Sequence, residues 1–269
     1  MRLLNRRPGQ QFSLILAVLP FLLVGLVYLQ ASNARLEVNP NDKLLPSPSQ
    51  MAEAMHRMAF EEDRRTGQYL LWADTAASLQ RLAMGVGVAA LIGLGVGITI
   101  GLVPIASATL GPFVAVVSMV PPLAVLPILF IAFGLGELAK VVLIALGITP
   151  FLIRDIAFRV GELPRELLVK AQTLGASTLQ IALRVVLPQM LPRLLSGLRL
   201  ALGPAWLFLI AAEAIASTEG LGYRIFLVRR FLAMDVILPY VAWITLLAFL
   251  MDTALAALSR RLYPWAYVR

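Results

Sequence analysis

Long apolar segments alternate with shorter polar ones along most of the chain. Six of them are long enough to cross a bilayer, because a helical span needs about 20 apolar residues. They cover residues 12–29, 76–103, 107–133, 138–158, 195–215 and 236–258. This pattern predicts an all-α, polytopic membrane protein with about six transmembrane helices. The mean hydropathy of +0.84 and the 14% of charged residues agree with that class.

The polar connections divide the chain into four predicted regions. These are a cytoplasmic N-terminus with the first span (1–30), a periplasmic loop (31–75), a transmembrane core (76–258) and a cytoplasmic C-terminal tail (259–269). Residues 151–199 carry seven Lys or Arg and three Asp or Glu, as expected for the cytoplasmic side. The connection 216–235 is predicted to lie outside, although it carries three Arg and two acidic residues.

The N-terminal part contains two further features. Ser32-Asn33-Ala34 resembles a signal-peptidase site, but the apolar run before it is longer than a usual signal core. We therefore expect an uncleaved first span. Residues 49–60 predict a short amphipathic helix with three methionines on one side. These are Met51, Met55 and Met58.

Glycine and proline mark two of the spans. Gly93, Gly97 and Gly101 recur at four-residue spacing, which lets another helix approach closely in lipid. Pro121 and Pro122 interrupt the third span and free backbone carbonyl groups, which a bilayer tolerates only where they are buried or face water. The prolines therefore indicate either a helix that lines a pathway or a structural kink.

The segment 161–192 mixes polar and apolar residues and predicts two short helices with a bend between them. Glu162 and Glu166 suit the first turns of the first helix. Gly175 suits its C-terminal end, where a left-handed residue is common. Ser177 and Gln180 have the spacing of a capping box, and Pro188 ends or kinks the backbone.

The predicted apolar face of the first helix comprises Leu167, Leu168, Ala171 and Leu174. Physical reasoning alone also allows an ordinary loop on the lipid headgroups.

This segment resembles the signature of bacterial importer permeases of the ATP-binding cassette (ABC) class. That signature reads Glu-Ala-Ala, three residues, Gly, nine residues, Ile-x-Leu-Pro. Ala171, Gly175, Leu187 and Pro188 match it, and Val185 is a near match. Val169 and Lys170 replace the Glu-Ala pair, and Glu166 lies one helical turn earlier as a candidate substitute. The stretches TLGAS, PPLAVLPILFIAFGLGE, LPRLLSGLRLALGPAW and EAIASTEGLGYRIF resemble the nitrate, sulfonate, taurine and bicarbonate branch of the class.

The resemblance implies a type I importer-like fold in the bacterial inner membrane, with both termini cytoplasmic. It implies that the segment is a coupling helix docked on a separate ATPase, which would bind ATP-Mg, while this chain binds no cofactor. The implied partners are two ATPase copies, a periplasmic substrate-binding protein and a second permease copy. The implied substrate is a small polar solute of the nitrate, sulfonate or taurine kind, or a urea- or guanidine-type nitrogen compound. The implied coupling residues are Glu166, Lys170, Ala171, Leu174, Gly175, Ala176, Leu187 and Pro188.

The sequence lacks the residues that several other classes of protein need. It contains no phosphate-binding loop, so ATP hydrolysis by that route needs another polypeptide. His56 is the single histidine and is predicted to lie on the surface of the external loop, so a histidine-based catalytic site within the spans is excluded. There are no cysteines, and the net charge of +8 is distributed as a topology signal rather than as a nucleic-acid-binding patch. The chain is therefore predicted to be a non-catalytic membrane subunit.

Glu213 and Asp252 fall within predicted spans, where ionised groups are costly. Glu213 either faces the pathway or pairs with an arginine such as Arg81 or Arg224. Asp252 is the second candidate. Pro121, Pro122 and Glu213 are the candidate pathway residues. An ion-coupled carrier or channel, whose buried acids would carry protons or sodium without an ATPase, remains the main alternative, beside a membrane enzyme and a scaffold.

Overall fold

The computed structural model describes residues 9–40, 42–64 and 66–267, and the described parts are built from helices. In chain order these helices are α1 (Gln10–Val38), α2 (Pro48–Phe60), α3 (Leu70–Leu102), α4 (Pro104–Val117), α5 (Pro122–Phe133), α6 (Glu137–Gly161), α7 (Arg165–Thr173), α8 (Thr178–Ile181), α9 (Leu187–Ala216), α10 (Leu221–Arg229) and α11 (Met234–Leu262). A 3₁₀ turn, Pro264–Tyr267, follows α11.

Among the described residues, five helical stretches are long and apolar enough to cross a membrane, and a bent pair makes a sixth. The bent pair is α4 and α5, whose axes differ by 93°. The predicted single span 107–133 is therefore wrong in shape. The break lies at the two consecutive prolines: Pro122 begins α5, and each proline disfavours helical backbone in the residue before it.

Two other helices extend beyond the predicted spans. α3 begins at Leu70, six residues before the predicted start, and brings Asp74 and Thr75 into the helix. The stretch from Thr178 to Ala216 is continuous, because α8 passes into α9 through a π-helical segment, Ala182–Val186. The second short helix expected in the segment 161–192 is thus the beginning of the fifth span.

α3 and α6 make the most extensive helix pair in the described structure. Four glycines of α3 allow this contact, because a Cβ on any of these four would lie 2.5–2.7 Å from a Cβ of α6. The pairs are Gly85 with Ile144, Gly93 with Leu152, Gly97 with Ile156, and Gly101 with Val160. Residue numbers rise together in both helices, so α3 and α6 run parallel. The close approach predicted from the glycine spacing is confirmed.

The remaining helices cover this pair. α9 packs against α6, α3, α10 and α11, and its Leu209 and Ala212 are fully buried. α1 stays outside the core, with exposed apolar side chains, and is anchored near its C-terminal end where Tyr28 and Ser32 donate hydrogen bonds to the Pro46 carbonyl group. The helix predicted for residues 49–60 is confirmed as α2, with Met55 and Met58 against the core and His56 exposed.

Candidate functional site

The segment 161–192 contains α7 and a tight turn that follows it. The Gly175 N–H donates to the Gln172 carbonyl group at 2.9 Å, and the Ala176 N–H donates to the Ala171 carbonyl group at 3.1 Å. This pair of bonds is a Schellman motif, which requires a left-handed residue. Gly175 fills that position with a φ of 80°. The predicted helix end at Gly175 is confirmed.

The chain re-enters a helix directly after this turn. The Ser177 hydroxyl group accepts from the Gln180 N–H, and the Gln180 side chain accepts from the Ser177 N–H, so the predicted capping box is confirmed. Pro188 does not end the helix. It lies in the first turn of α9, where its missing N–H is tolerated because the wider π-helical turn just before it already changes the hydrogen-bond pattern.

The apolar residues expected on one face of α7 are divided between two environments. Leu168 and Ala171 pack against the core. Leu167 and Leu174 are exposed, and Leu174 reaches 87%. Glu162 lies at the end of α6 and contacts Arg159, so its predicted place in α7 is wrong. The reason is that α6 extends to Gly161 and α7 begins only after Pro164.

A groove of about 350 Å³ lies beside the exposed leucine. Ala171, Leu174, Gly175, Ala176, Gln180 and Arg184 line it. Glu166 and Lys170 lie on the exposed side of α7, Leu187 is half-buried and Pro188 is exposed. The surface of the segment therefore carries an exposed leucine, a groove beside it and two charged residues nearby.

A buried polar network lies where α3, α6 and α9 meet, far along α3 from this segment. Glu213 is fully buried and accepts from Arg81 Nη1 at 2.8 Å, from the Ser78 hydroxyl group and from the Gly222 N–H. Arg81 also bonds Glu137, which in turn accepts from Lys140. Glu213 therefore has Arg81 as its partner, one of the two arginines named from the sequence.

Arg224, the other arginine named, pairs with Asp74 at 2.7 Å. Burial alone would lower the pKa of the Arg224 guanidinium, but its hydrogen bonds to Asp74 raise that pKa above the usual value. Asp74 also accepts from the Gly220 N–H and the Tyr240 hydroxyl group. The sequence prediction missed Asp74 because the span was expected to begin at residue 76. The apolar residues 70–73, directly before Asp74, are the signal that could have found it.

Asp252 forms a different kind of pair. It accepts two hydrogen bonds of 2.8 Å from Arg199, and both side chains are more than a third exposed. Within residues 9–40, 42–64 and 66–267, no three His, Asp or Glu side chains are grouped closely enough to hold a metal ion.

A cavity of about 810 Å³ opens at the break between α4 and α5. We call it the α4–α5 cavity. Its lining includes Ser118, Pro122, Pro150, Phe151, Arg154 and Phe208. Pro122 is thus a lining residue, Pro121 lies at the break as the residue before α5, and Glu213 lies in the buried network. The sequence prediction missed Arg154, although an arginine inside a predicted span was a usable signal.

The family described as "Binding-protein-dependent transport system inner membrane component" matches residues 89–264, which is well over half of the chain. The chain belongs to this family. Its relatives include permease proteins of bacterial transport systems. The taurine transport system permease protein TauC of Escherichia coli K12 is 41% identical over 221 residues, covering 82% of this chain and 80% of TauC.

Two further members of the binding-protein-dependent transport family are similarly related. The bicarbonate transport system permease protein CmpB of Synechococcus elongatus is 37% identical over 194 residues, covering 71% of this chain and 69% of CmpB. The nitrate import permease protein NrtB of Leptolyngbya laminosa is 32% identical over 206 residues, covering 76% of this chain and 73% of NrtB. The predicted branch of the family is confirmed.

The fold is also found in a solved structure described as inward-facing conformations of the MetNI methionine ABC transporter. The TM-score is 0.64 at 21% identity, covering 72% of this chain and 96% of that one. At this identity the likeness concerns the fold alone. It confirms the predicted all-α, type I importer-like architecture.

Proposed function

We propose that this chain is the permease subunit of an ATP-driven importer, and that residues 161–192 couple it to a separate ATPase. The observation that carries the proposal is Leu174, a large apolar side chain that is 87% exposed beside Gly175 and a groove. An exposed apolar tip of this kind is stabilised when a partner covers it. Glu166 and Lys170 flank it and would orient the partner.

The proposed assembly has two permease copies, two ATPase copies that bind ATP-Mg, and a periplasmic binding protein. This chain itself holds no cofactor. The termini and the segment 161–192 lie on the cytoplasmic side in this proposal, so that ATP binding can displace the segment. Because α6 ends at Gly161, directly before the segment, the displacement is passed to the spans. The permease would then alternate between inward-open and outward-open states.

The proposed substrate is a small polar solute. The names of the relatives support this class, since they are permease proteins for taurine, bicarbonate and nitrate. The notion of a urea- or guanidine-type nitrogen compound has no comparable support among these names. Selection of one solute is assigned to the separate binding protein.

An ion-coupled carrier without an ATPase is less well supported. In the described structure the buried acids lie against cations: Glu213 against Arg81 and Asp74 against Arg224. Both carboxylates also accept hydrogen bonds from backbone N–H groups, Glu213 from Gly222 and Asp74 from Gly220, so neither is left open to hold a carried ion. The ATPase-driven function is therefore the better account of these pairs.

Leu174→Glu tests the proposal, with Val38→Glu as the matched control, because both side chains are 87% exposed. The permease is reconstituted with its ATPase and binding protein in proteoliposomes, and uptake and ATPase activity are measured. We expect Leu174→Glu to insert normally but to lose ATPase binding and uptake, and Val38→Glu to retain both. Wild-type values for Leu174→Glu, or a permease that transports without any ATPase, would contradict the proposal.

A further inference from the structure

Arg154 lies on α6, which is one of the candidate spans, and belongs to the lining of the α4–α5 cavity. Its Nη1 donates to the Ser118 hydroxyl group at 3.1 Å, across to the end of α4. Side chains of a helix lean toward its N-terminus, so the guanidinium is directed away from the nearer helix end at Gly161 and into the span. The residue is exposed to the cavity.

The charge of Arg154 is satisfied differently from the charges of three other cations in the spans. Arg81, Lys140 and Arg199 each have a carboxylate within 4 Å. Among the described residues, no carboxylate lies within that distance of Arg154, and its hydrogen bond goes to a neutral hydroxyl group. A cation in a span is costly unless a counter-charge or water stabilises it. The cavity beside it offers room for either.

Asp155 also contributes to the cavity lining, but its charge is engaged elsewhere. Its Oδ1 lies 3.6 Å from Arg159 Nε. Its Oδ2 faces α9, where a Cβ on Gly197 would lie 3.1 Å from it. Successive residues of a helix point about 100° apart, so Asp155 and Arg154 face different neighbours. The cavity therefore has a cationic position at Arg154 that Asp155 does not neutralise by contact.

We propose that Arg154, positioned by Ser118, forms an anion-binding site inside the α4–α5 cavity, which holds the anionic group of the solute during its passage. The planar guanidinium with its several N–H donors suits an oxyanion such as a sulfonate, a carboxylate or nitrate. The Ser118 hydroxyl group donates to the Ala115 carbonyl group and accepts from Arg154, so it orients the guanidinium. The cavity volume of about 810 Å³ is within the range of small-molecule sites. The role in passage rests on the proposed transport function, whereas the site itself does not.

The first experiment measures the site without any ATPase. The chain has no cysteine, so Phe151→Cys places one thiol in the cavity lining, three residues before Arg154 on the same helix face. The labelling rates with an anionic and a cationic methanethiosulfonate reagent are compared in membranes. We expect Arg154→Gln to lower the ratio of anionic to cationic labelling by roughly tenfold or more. Arg154→Lys should preserve most of the ratio, and Arg260→Gln, an exposed position on α11, should leave it unchanged.

An unchanged ratio in Arg154→Gln, or a thiol at position 151 that neither reagent reaches, would overturn the proposed site. The second experiment measures uptake by the reconstituted complex with taurine, bicarbonate or nitrate as the probe, whichever the wild type transports. We expect Arg154→Gln to reduce uptake at limiting solute by roughly tenfold or more, as for loss of one charge-assisted hydrogen bond. Full uptake by Arg154→Gln would overturn the role in passage. If the wild-type complex shows no ATP-driven uptake, the proposed function is wrong. The labelling experiment alone then tests whether the anion-binding site exists.

Discussion

Arg81 on α3 and Glu213 on α9 are 132 residues apart in sequence, yet Arg81 Nη1 lies 2.8 Å from Glu213 Oε1. The Arg81 side chain is 2% exposed and that of Glu213 is fully buried. Because Arg81 also bonds Glu137 on α6, one guanidinium joins three helices. From this arrangement we expect Glu213 to act as a structural residue, so that its substitution lowers the stability of the permease.

Glu213→Gln should therefore destabilise the permease. The substitution removes the buried counter-charge of Arg81, and breaking a buried pair costs about 3–5 kcal/mol. We expect the lower end of this range, because Glu137 remains bonded to Arg81. The thermal unfolding midpoint of the purified permease in detergent measures the effect. Glu219→Gln is the control, since Glu219 lies 3.5 Å from Arg81 but is 55% exposed. Equal midpoints for the two variants would disprove the structural role.

The contact between α3 and α6 should be sensitive to a single methyl group. Gly97→Ala would place a Cβ 2.7 Å from the Ile156 Cβ, and such overpacking costs about 1–3 kcal/mol. Gly95→Ala, two residues earlier, meets nothing within 4 Å. We expect Gly97→Ala to lower the unfolding midpoint and Gly95→Ala to maintain or raise it. A loss of stability in Gly95→Ala as large as in Gly97→Ala would contradict the close contact between α3 and α6.

The two other ion pairs should differ in strength. Asp74 is buried and has Arg224, Tyr240 and the Gly220 N–H as partners, whereas Asp252 and Arg199 are partly exposed. Partly exposed pairs contribute up to about 1 kcal/mol, because solvent screens them. We expect Asp74→Asn to destabilise the permease clearly more than Asp252→Asn. A double-mutant cycle of Asp74→Asn with Arg224→Gln should give a coupling energy above that of Asp252→Asn with Arg199→Gln.

The side of the membrane that carries the segment 161–192 can be tested by labelling. With no native cysteine, Leu174→Cys offers a single thiol that is highly exposed. A membrane-impermeant maleimide should label it in inverted vesicles but not in intact spheroplasts. Val38→Cys, at the far end of α1, should show the opposite pattern. Labelling of Leu174→Cys from the outer side would refute the coupling role, because an ATPase in the cytoplasm could not reach it.

Features set by neighbouring residues were predictable from the sequence. The turn at Gly175, the capping box at Ser177 and the glycine face of α3 depend on local backbone chemistry or on helix period, and each is confirmed. The bend between α4 and α5 was only partly predictable. Pro121 and Pro122 marked its position, but its angle of 93° depends on how the chain returns between two parallel helices.

Contacts between residues that are distant in the sequence were harder to predict. Arg81 was one of two arginines proposed for Glu213, since spacing alone does not tell which helix face an acid occupies. The Asp74–Arg224 pair joins residues 150 positions apart and depends on where α3 begins. The Arg154–Ser118 contact depends on the fold at the α4–α5 break, and no pattern within either helix specifies it.

The close contact between α3 and α6 limits how these two helices can move. Between Gly85 and Gly101 the backbone of α3 lies so close to the side chains of α6 that neither helix can slide past the other without a steric clash. The two helices must therefore move together as one rigid unit. The proposed coupling segment follows the C-terminal end of α6, and the other end of α6 is bonded to Arg81 through Glu137. In the proposed importer, a displacement of this segment would therefore move the Arg81–Glu213 pair at the other end of α6.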